Sequence, residues 1–268
     1  AYNLRSRTSV PRFDLELGYQ QVGSLFNPEV GFLTRRGYRK PDARILTRWR
    51  PHALKLQEVR PHTSYRAFYG IHDDLLESMQ WHIDNHWQFR NSAEVHTGMN
   101  VTEEGLRRPF EIYPGIFVPP GSYRHNEAQL VFMTNQGPPV SLNVEARIGG
   151  FFGGDRVSLS PTLRMRAGET LTREVAYQRN DVDLPWGAFT TNLLRTRVSY
   201  SFNTHTFLQG LVQYNDRADI WSMNLRFGWL QAANTGLFVV YTDTRGLYDL
   251  VDRPERTDRS FTVKYSYM

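Results

Sequence analysis

The sequence predicts an all-β protein of antiparallel strands, and three observations carry that prediction. Hydrophobicity alternates with period two along most of the chain, the alternating runs are long, and turn residues separate them at short intervals. In a strand, successive side chains point to opposite faces, whereas a helix brings an apolar residue back every three or four positions. Taken in chain order, Met79, Trp81, Ile83, Trp87 and Phe89 alternate with Gln80, His82, Asp84, His86, Gln88 and Arg90. Val140, Leu142, Val144, Ala146 and Ile148 do so with Ser141, Asn143, Glu145, Arg147 and Gly149. Val157, Leu159, Leu163 and Met165 alternate with Arg156, Ser158, Ser160, Thr162, Arg164 and Arg166, and Leu194, Val198, Tyr200 and Phe202 with Arg195, Arg197, Ser199 and Ser201. Trp221, Met223, Leu225, Phe227 and Trp229 then face away from Ser222, Asn224, Arg226 and Gly228, and the chain closes on Phe261, Val263, Tyr265 and Tyr267 against Thr262, Lys264 and Ser266.

Turn signals punctuate these runs at Asn135-Gln136-Gly137-Pro138-Pro139, Gly153-Gly154-Asp155, Ala167-Gly168-Glu169, Asn215-Asp216-Arg217 and Ala233-Asn234-Thr235-Gly236. Counting the segments between such signals gives about 15 strands. Three stretches lack clean alternation and read as longer loops or plugs: Ser24 to Lys40, Glu103 to Pro120 and Gly246 to Asp258. No helix longer than a turn or two, no fixed-period repeat and no low-complexity tract is visible, so residues 1–268 read as a single domain.

A soluble sandwich would also alternate, with its apolar face on a core. Two details point to a membrane instead. The runs extend over about 9 to 15 residues where soluble strands average about 5 to 6, and a tilted strand needs about 9 to 11 to cross a bilayer. The apolar faces are rich in aromatics near strand ends, as with Trp221 and Trp229 or Tyr200 and Phe202, which is where interfacial girdles place them. The longest apolar run, Leu237-Phe238-Val239-Val240-Tyr241, is far short of the roughly 18 residues of a spanning helix. A mean hydropathy of −0.52 agrees with strands that are apolar on one face only. The expected fold is therefore an antiparallel transmembrane outer-membrane β-barrel of about 14–16 strands, visible here or completed by upstream sequence.

Composition excludes several functions. The chain has no cysteine, which removes disulfides, thiol catalysis and zinc–thiolate sites. Its net charge is +5, and lysine occurs only at Lys40, Lys55 and Lys264, so arginine dominates the cations. Arginine keeps its charge and makes forked hydrogen bonds, which suits packed polar interiors and anion contacts. The basic residues are interleaved with acids rather than gathered in a stripe, so no nucleic-acid partner is expected. There is no Gly-x-Ser-x-Gly elbow, no His-Glu-x-x-His and no phosphate-cradling glycine loop; no enzymatic activity, catalytic residue or cofactor is expected. The chain begins at Ala1 without an initiator Met or a signal-peptide pattern, so either a removed signal or a longer parent chain is expected.

A series of motifs in fixed order carries a family resemblance. It comprises Phe26-Asn27-Pro28-Glu29-Val30-Gly31-Phe32 with Arg35 and Arg36, then Pro109-Phe110-Glu111-Ile112-Tyr113-Pro114-Gly115-Ile116-Phe117-Val118-Pro119-Pro120-Gly121-Ser122-Tyr123. Gln213-Tyr214-Asn215, Asn224-Leu225-Arg226-Phe227-Gly228-Trp229, Leu237 to Tyr241 and Val263-Lys264-Tyr265-Ser266-Tyr267 follow. From about Tyr2 to Met268 the chain resembles the C-terminal barrel region of the domain of unknown function 5916 family, bacterial outer-membrane proteins that often carry an upstream module similar to family 9 carbohydrate-binding domains. The resemblance implies a Gram-negative outer-membrane location and an upstream part that includes the first strands. It supplies no activity.

Two sets of residues are candidates for binding. Arg147, Arg156, Arg164, Arg166, Arg195, Arg197 and Arg226 all fall on polar strand faces and would line a lumen. A network neutralised by acids such as Glu145 and Glu174 is the preferred reading, and an anion path or ligand contact is the other. His82, Asp84 and His86 stand at alternate positions of one strand, about 6.5 to 7 Å apart along one face, so two histidines and a carboxylate could share a transition metal. The plainer reading, a polar row continuing through Gln88 and Arg90, is preferred from the sequence.

The expected role is that of a bacterial outer-membrane barrel acting as a porin-like passage or as a scaffold, linked to glycan handling or a larger surface complex. Its expected partners are outer-membrane lipid and lipopolysaccharide, together with an upstream part of the same protein or other subunits of that complex. The alternatives are a soluble or periplasmic β-rich carbohydrate-binding module and an outer-membrane barrel enzyme.

Overall fold

The computed structural model describes residues 1–29, 31, 33–51, 54–232, 235–246 and 255–267. Val30 and Phe32 of the first family motif, part of the turn at Ala233-Asn234, and residues 247–254 of the last irregular stretch lie outside them. Strands make up 76% of the chain, and no helix occurs among the described residues, as the period-two pattern predicts.

The strands are β1 (Tyr2–Val10), β2 (Phe13–Val22), β3 (Tyr38–Thr47), β4 (Leu56–Gly70), β5 (Leu76–Phe89), β6 (Glu94–Leu106), β7 (Phe110–Tyr113), β8 (Ile116–Val118) and β9 (Gly121–Met133). They continue with β10 (Val140–Phe151), β11 (Gly154–Ala167), β12 (Leu171–Leu184), β13 (Gly187–Ser201), β14 (Thr206–Asn215), β15 (Ile220–Ala232), β16 (Thr235–Gly246) and β17 (Glu255–Ser266). Fifteen of them form one sheet in sequence order, β1 to β6 and then β9 to β17, while β7 and β8 pair separately. The sheet is not closed into the barrel that the sequence led one to expect; its order runs from β1 at one end to β17 at the other. Every residue of β1 is exposed, as befits an edge.

The chain divides into two compact units: residues 1–132, 146–157 and 182–189, and residues 133–145, 158–181 and 190–268. In the first unit, the stretch expected as a loop or plug from Glu103 to Pro120 is partly strand. Glu103 to Leu106 ends β6, and β7 and β8 make a hairpin whose Pro114-Gly115 turn places Gly115 at φ +80°. Proline at the first central position and a left-handed glycine at the second define a type II turn. Strands of four and three residues are too short to declare a period. The hairpin exists because Ile112 and Val118 pack into a small core with Phe152, Val182 and Leu184, and Tyr113 stacks on Phe189 at 4.6 Å. Phe152 sits in the β10–β11 turn at φ 45°, next to Gly153 at φ 77°; positive φ at both central residues is the type I′ hairpin geometry. Burial of the Phe152 ring in this core offsets the strain that a bulky residue carries there. The described residues from Ser24 to Gly37 are irregular, as expected, but Tyr38 to Lys40, expected within the same loop, already belong to β3, where they pair with Val22, Gln21 and Gln20.

An arginine clamp holds the β4–β5 turn. Arg107, just past β6, donates to Asp73 Oδ1 and Glu77 Oε1, both at 3.1 Å. The guanidinium, helped by the Leu75 N–H, holds the Asp73 carboxyl below its ordinary value, and the carboxylate in turn raises Arg107.

In the second unit, β14 to β17 pair in long registers, with Gln213 opposite Ser222, Arg226 opposite Val240 and Val239 opposite Val263. One face carries Trp221, Met223, Leu225, Phe227 and Trp229 of β15 beside Leu237, Val239 and Tyr241 of β16 and Phe261, Val263 and Tyr265 of β17. The other carries Ser222, Asn224, Arg226, Thr242 and Thr262.

Candidate functional site

Cross-strand register in the first unit gathers the chemistry onto one face of β4, β5 and β6. His62 lies opposite Asp84 and Arg60 opposite His86 across β4–β5. Across β5–β6, His82 faces Asn100, Asp84 faces Gly98, His86 faces His96 and Gln88 faces Glu94. The single-strand row of His82, Asp84 and His86 is thus the middle of a cluster with four imidazoles and two carboxylates.

Asp84 is its centre, with a side chain 2% exposed. Its Oδ1 accepts the backbone N–H of Asn85 at 2.7 Å. Its Oδ2 lies 3.6 Å from His82 Nε2 and 3.3 Å from His86 Nε2. Gly98 makes room for it, because a Cβ there would stand 2.9 Å from the Ile83 carbonyl oxygen and 3.0 Å from the Asp84 carboxylate. Glu94 forms the second anionic pole: it accepts from His96 Nε2 at 2.8 Å, lies 3.1 Å from His86 Nδ1 and pairs with Arg60. The His86 and His96 rings stack in parallel, their centroids 3.5 Å apart, while His62 meets His86 edge-on at 4.8 Å.

The cluster is braced from outside. His82 Nδ1 lies 2.7 Å from Asn100 Oδ1, and Asn100 Nδ2 donates to Gln129 Oε1 of β9 at 2.9 Å. Asn100 also lines a neighbouring cavity of about 460 Å³ together with His125, Glu127, Arg147 and Arg156, with Phe110 of the β7–β8 hairpin at its wall. Its volume is that of a small-molecule pocket. Arg156 donates its Nε to Glu127 Oε1 at 2.9 Å and lies 4.1 Å over the Phe151 ring, and the buried His125 Nδ1 has no hydrogen-bond partner.

The structure distributes the seven sequence-predicted arginines between the units. Arg147 and Arg156 line the cavity of the first. In the second, Arg164 donates to Glu174 Oε2 at 2.9 Å and Arg195 lies 3.7 Å from Glu174 Oε1. Arg166 caps the β9–β10 turn through the carbonyls of Gln136, Gly137 and Pro138. Arg226 lies over Phe238 at 4.8 Å, and Arg197 is exposed on β13. Of the two acids expected to neutralise them, Glu174 pairs with Arg164 and Arg195, and Glu127, which pairs with Arg156, carries no sign of that role in the sequence. Sequence reading missed His62, Glu94 and His96 as well. Each lies on a strand neighbouring β5, and only register joins them to the row.

Comparison with family models, curated proteins and solved structures finds no match to this chain.

Proposed function

We propose that this chain forms a bacterial outer-membrane β-barrel whose polar face lines the lumen and which acts as a passage or scaffold. One observation carries the reading: burial is inverted relative to a soluble β-protein. Asp84, Asn100, His125, Glu127 and Asp243 are buried, while Trp81, Met99, Leu130, Phe132, Ile148, Val157 and Trp229 are exposed. Among the described residues twelve hydrophobic side chains are buried and thirty-four large ones are exposed. Monomers in water do not leave such contiguous apolar surface uncovered, whereas lipid covers the outward face of a membrane barrel and its interior is polar.

Dimensions support the same reading. From Trp221 to Trp229 the outward row of β15 spans about 27 Å, or about 20 Å of bilayer depth at a tilt of about 40°, against an apolar band about 25 Å tall. Strand parity bears on closure. In a fifteen-stranded antiparallel order the first and last strands run the same way, so they would close directly only through a parallel seam. One additional strand restores the even, antiparallel closure usual for bacterial barrels. The resemblance to the domain of unknown function 5916 family belongs to this proposal and adds a link to glycan handling or a surface complex.

The test is the behaviour of the full chain in detergent and in buffer. Folding in detergent with heat-modifiable migration on gels is expected; a water-soluble monomer with no such shift overturns the proposal. Single-channel recording then separates passage from scaffold. A passage conducts, and Arg164→Gln with Arg195→Gln shifts its selectivity toward cations.

A further inference from the structure

We propose that the cluster on β4, β5 and β6 is a binding site for a divalent transition metal of the zinc, copper or nickel class, built around Asp84 and closed by imidazoles from all three strands. The donor set fits that class, since imidazole suits these metals. Two triads share the carboxylate: His62, His82 and Asp84 form one and Asp84, His86 and His96 the other, with the donor atoms of each within 4.8 Å of one another.

Hydrogen-bond direction supplies the second argument. Asn100 is oriented by its donation to Gln129, so its Oδ1 faces His82 and can only accept. His82 Nδ1 is therefore the donor, which in a neutral ring leaves Nε2 as a bare lone pair aimed at the buried Asp84 Oδ2. The 3.6 Å gap is longer than a hydrogen bond, and it is bridged either by the charge of a protonated ring or by an ion held between the two atoms. With bonds of about 2.0–2.1 Å to a tetrahedral zinc, two donors stand about 3.3–3.4 Å apart. The 3.3 Å separation of Asp84 Oδ2 from His86 Nε2 matches an edge of such a polyhedron, and His82 Nε2, at 3.6 Å, would close by a few tenths of an ångström on binding.

The outer contacts have the form that metal sites take. Ligating histidines give their second nitrogen to a carbonyl or carboxylate, which fixes ring and tautomer. Here His82 has Asn100, His96 has Glu94, and His62 Nδ1 points at the Arg60 carbonyl oxygen at 3.4 Å. The site lies on the polar face whichever side of the sheet meets lipid, so it stands or falls apart from the membrane proposal.

The experiment is calorimetric titration of zinc chloride into the full chain, in whichever medium it folds, with Asp84→Asn, the pair His82→Ala with His86→Ala, and Asn100→Ala as variants and His205→Ala as control. Saturable binding of one or two ions per chain is expected in the wild type and the control. Asp84→Asn and the double histidine variant should lose at least about a hundredfold in affinity, and Asn100→Ala about 10–100-fold through ring orientation. Cobalt(II) absorption of the wild type gives a readout that needs no variant: ligand-field bands of nitrogen and oxygen coordination are expected. No saturable heat, no such bands, or equal affinity in wild type and folded Asp84→Asn overturns the site.

Discussion

Two aspartates, one in each unit, are buried to nearly the same degree, yet their surroundings differ in one chemical respect. Asp243 of β16, 1% exposed at its side chain, is met among the described residues by hydroxyl and guanidinium donors. Tyr241 gives its hydroxyl to Oδ2 at 2.9 Å, Arg245 reaches Oδ1 at 3.3 Å and Oδ2 at 3.2 Å, and Arg259 of β17 reaches Oδ2 at 3.3 Å. Guanidinium has no lone pair to offer, so this carboxylate is saturated and ties β16 to β17. Asp84 is ringed by imidazoles, each of which can turn a lone pair inward. The same buried carboxylate is a structural anchor among arginines and a ligand among histidines.

The sharpest way to break this comparison is zinc. At a concentration a hundredfold above its dissociation constant, a ligand bound only by the native state adds about 2.7 kcal/mol. Denaturant unfolding should show that gain in the wild type and in Asp243→Asn but not in Asp84→Asn. An equal gain in all three would mean that the two aspartates do not differ as described. Gly98→Ala comes next. Its new Cβ would press on the Asp84 carboxylate, and a tenfold loss of zinc affinity, about 1.4 kcal/mol, is expected by titration with the fold retained. Unchanged affinity would show that the room beside Asp84 is not what shapes the site.

Asp243→Asn should lower the melting temperature by a few degrees whether or not zinc is present. It leaves Arg245 and Arg259 without their anion, but both side chains keep contact with solvent, at 30% and 44% exposure, and can rehydrate. The smallest effect belongs to an exposed counterpart, Asp73 beside Arg107. Its carboxyl is held below the ordinary value in the native state, so its contribution is present above the unfolded pKa of about 4 and fades as pH falls through the lower native one. Proteolysis of the β4–β5 turn should accelerate in that acid range in the wild type. In Asp73→Asn it should be faster throughout and lack that step.

Legibility followed the range of the signal. Period two is a property of adjacent residues, so the row Met79 to Arg90 and the aromatic row Trp221 to Trp229 could be read without a structure. The β7–β8 hairpin could not, because four and three residues hold no period and its stability comes from Phe152, Val182 and Phe189 elsewhere in the chain. Three of the five proposed ligands were visible for the same reason that the strands were: His82, Asp84 and His86 share a face at spacing two. His62, His96 and Glu94 lie opposite them only through the β4–β5 and β5–β6 registers. Histidines placed 20 and 10 residues away in sequence give no local sign of that.

The sequence by itself determined the all-β class, the two-faced character of its strands and the absence of thiol chemistry, because alternation and composition are local or additive properties. Tertiary structure decided which polar groups meet: that Glu127 takes Arg156, that Gly98 leaves space for Asp84, and that four imidazoles converge on one carboxylate. Those outcomes depend on cross-strand register, and a shift of one residue would turn every one of these side chains to the opposite face.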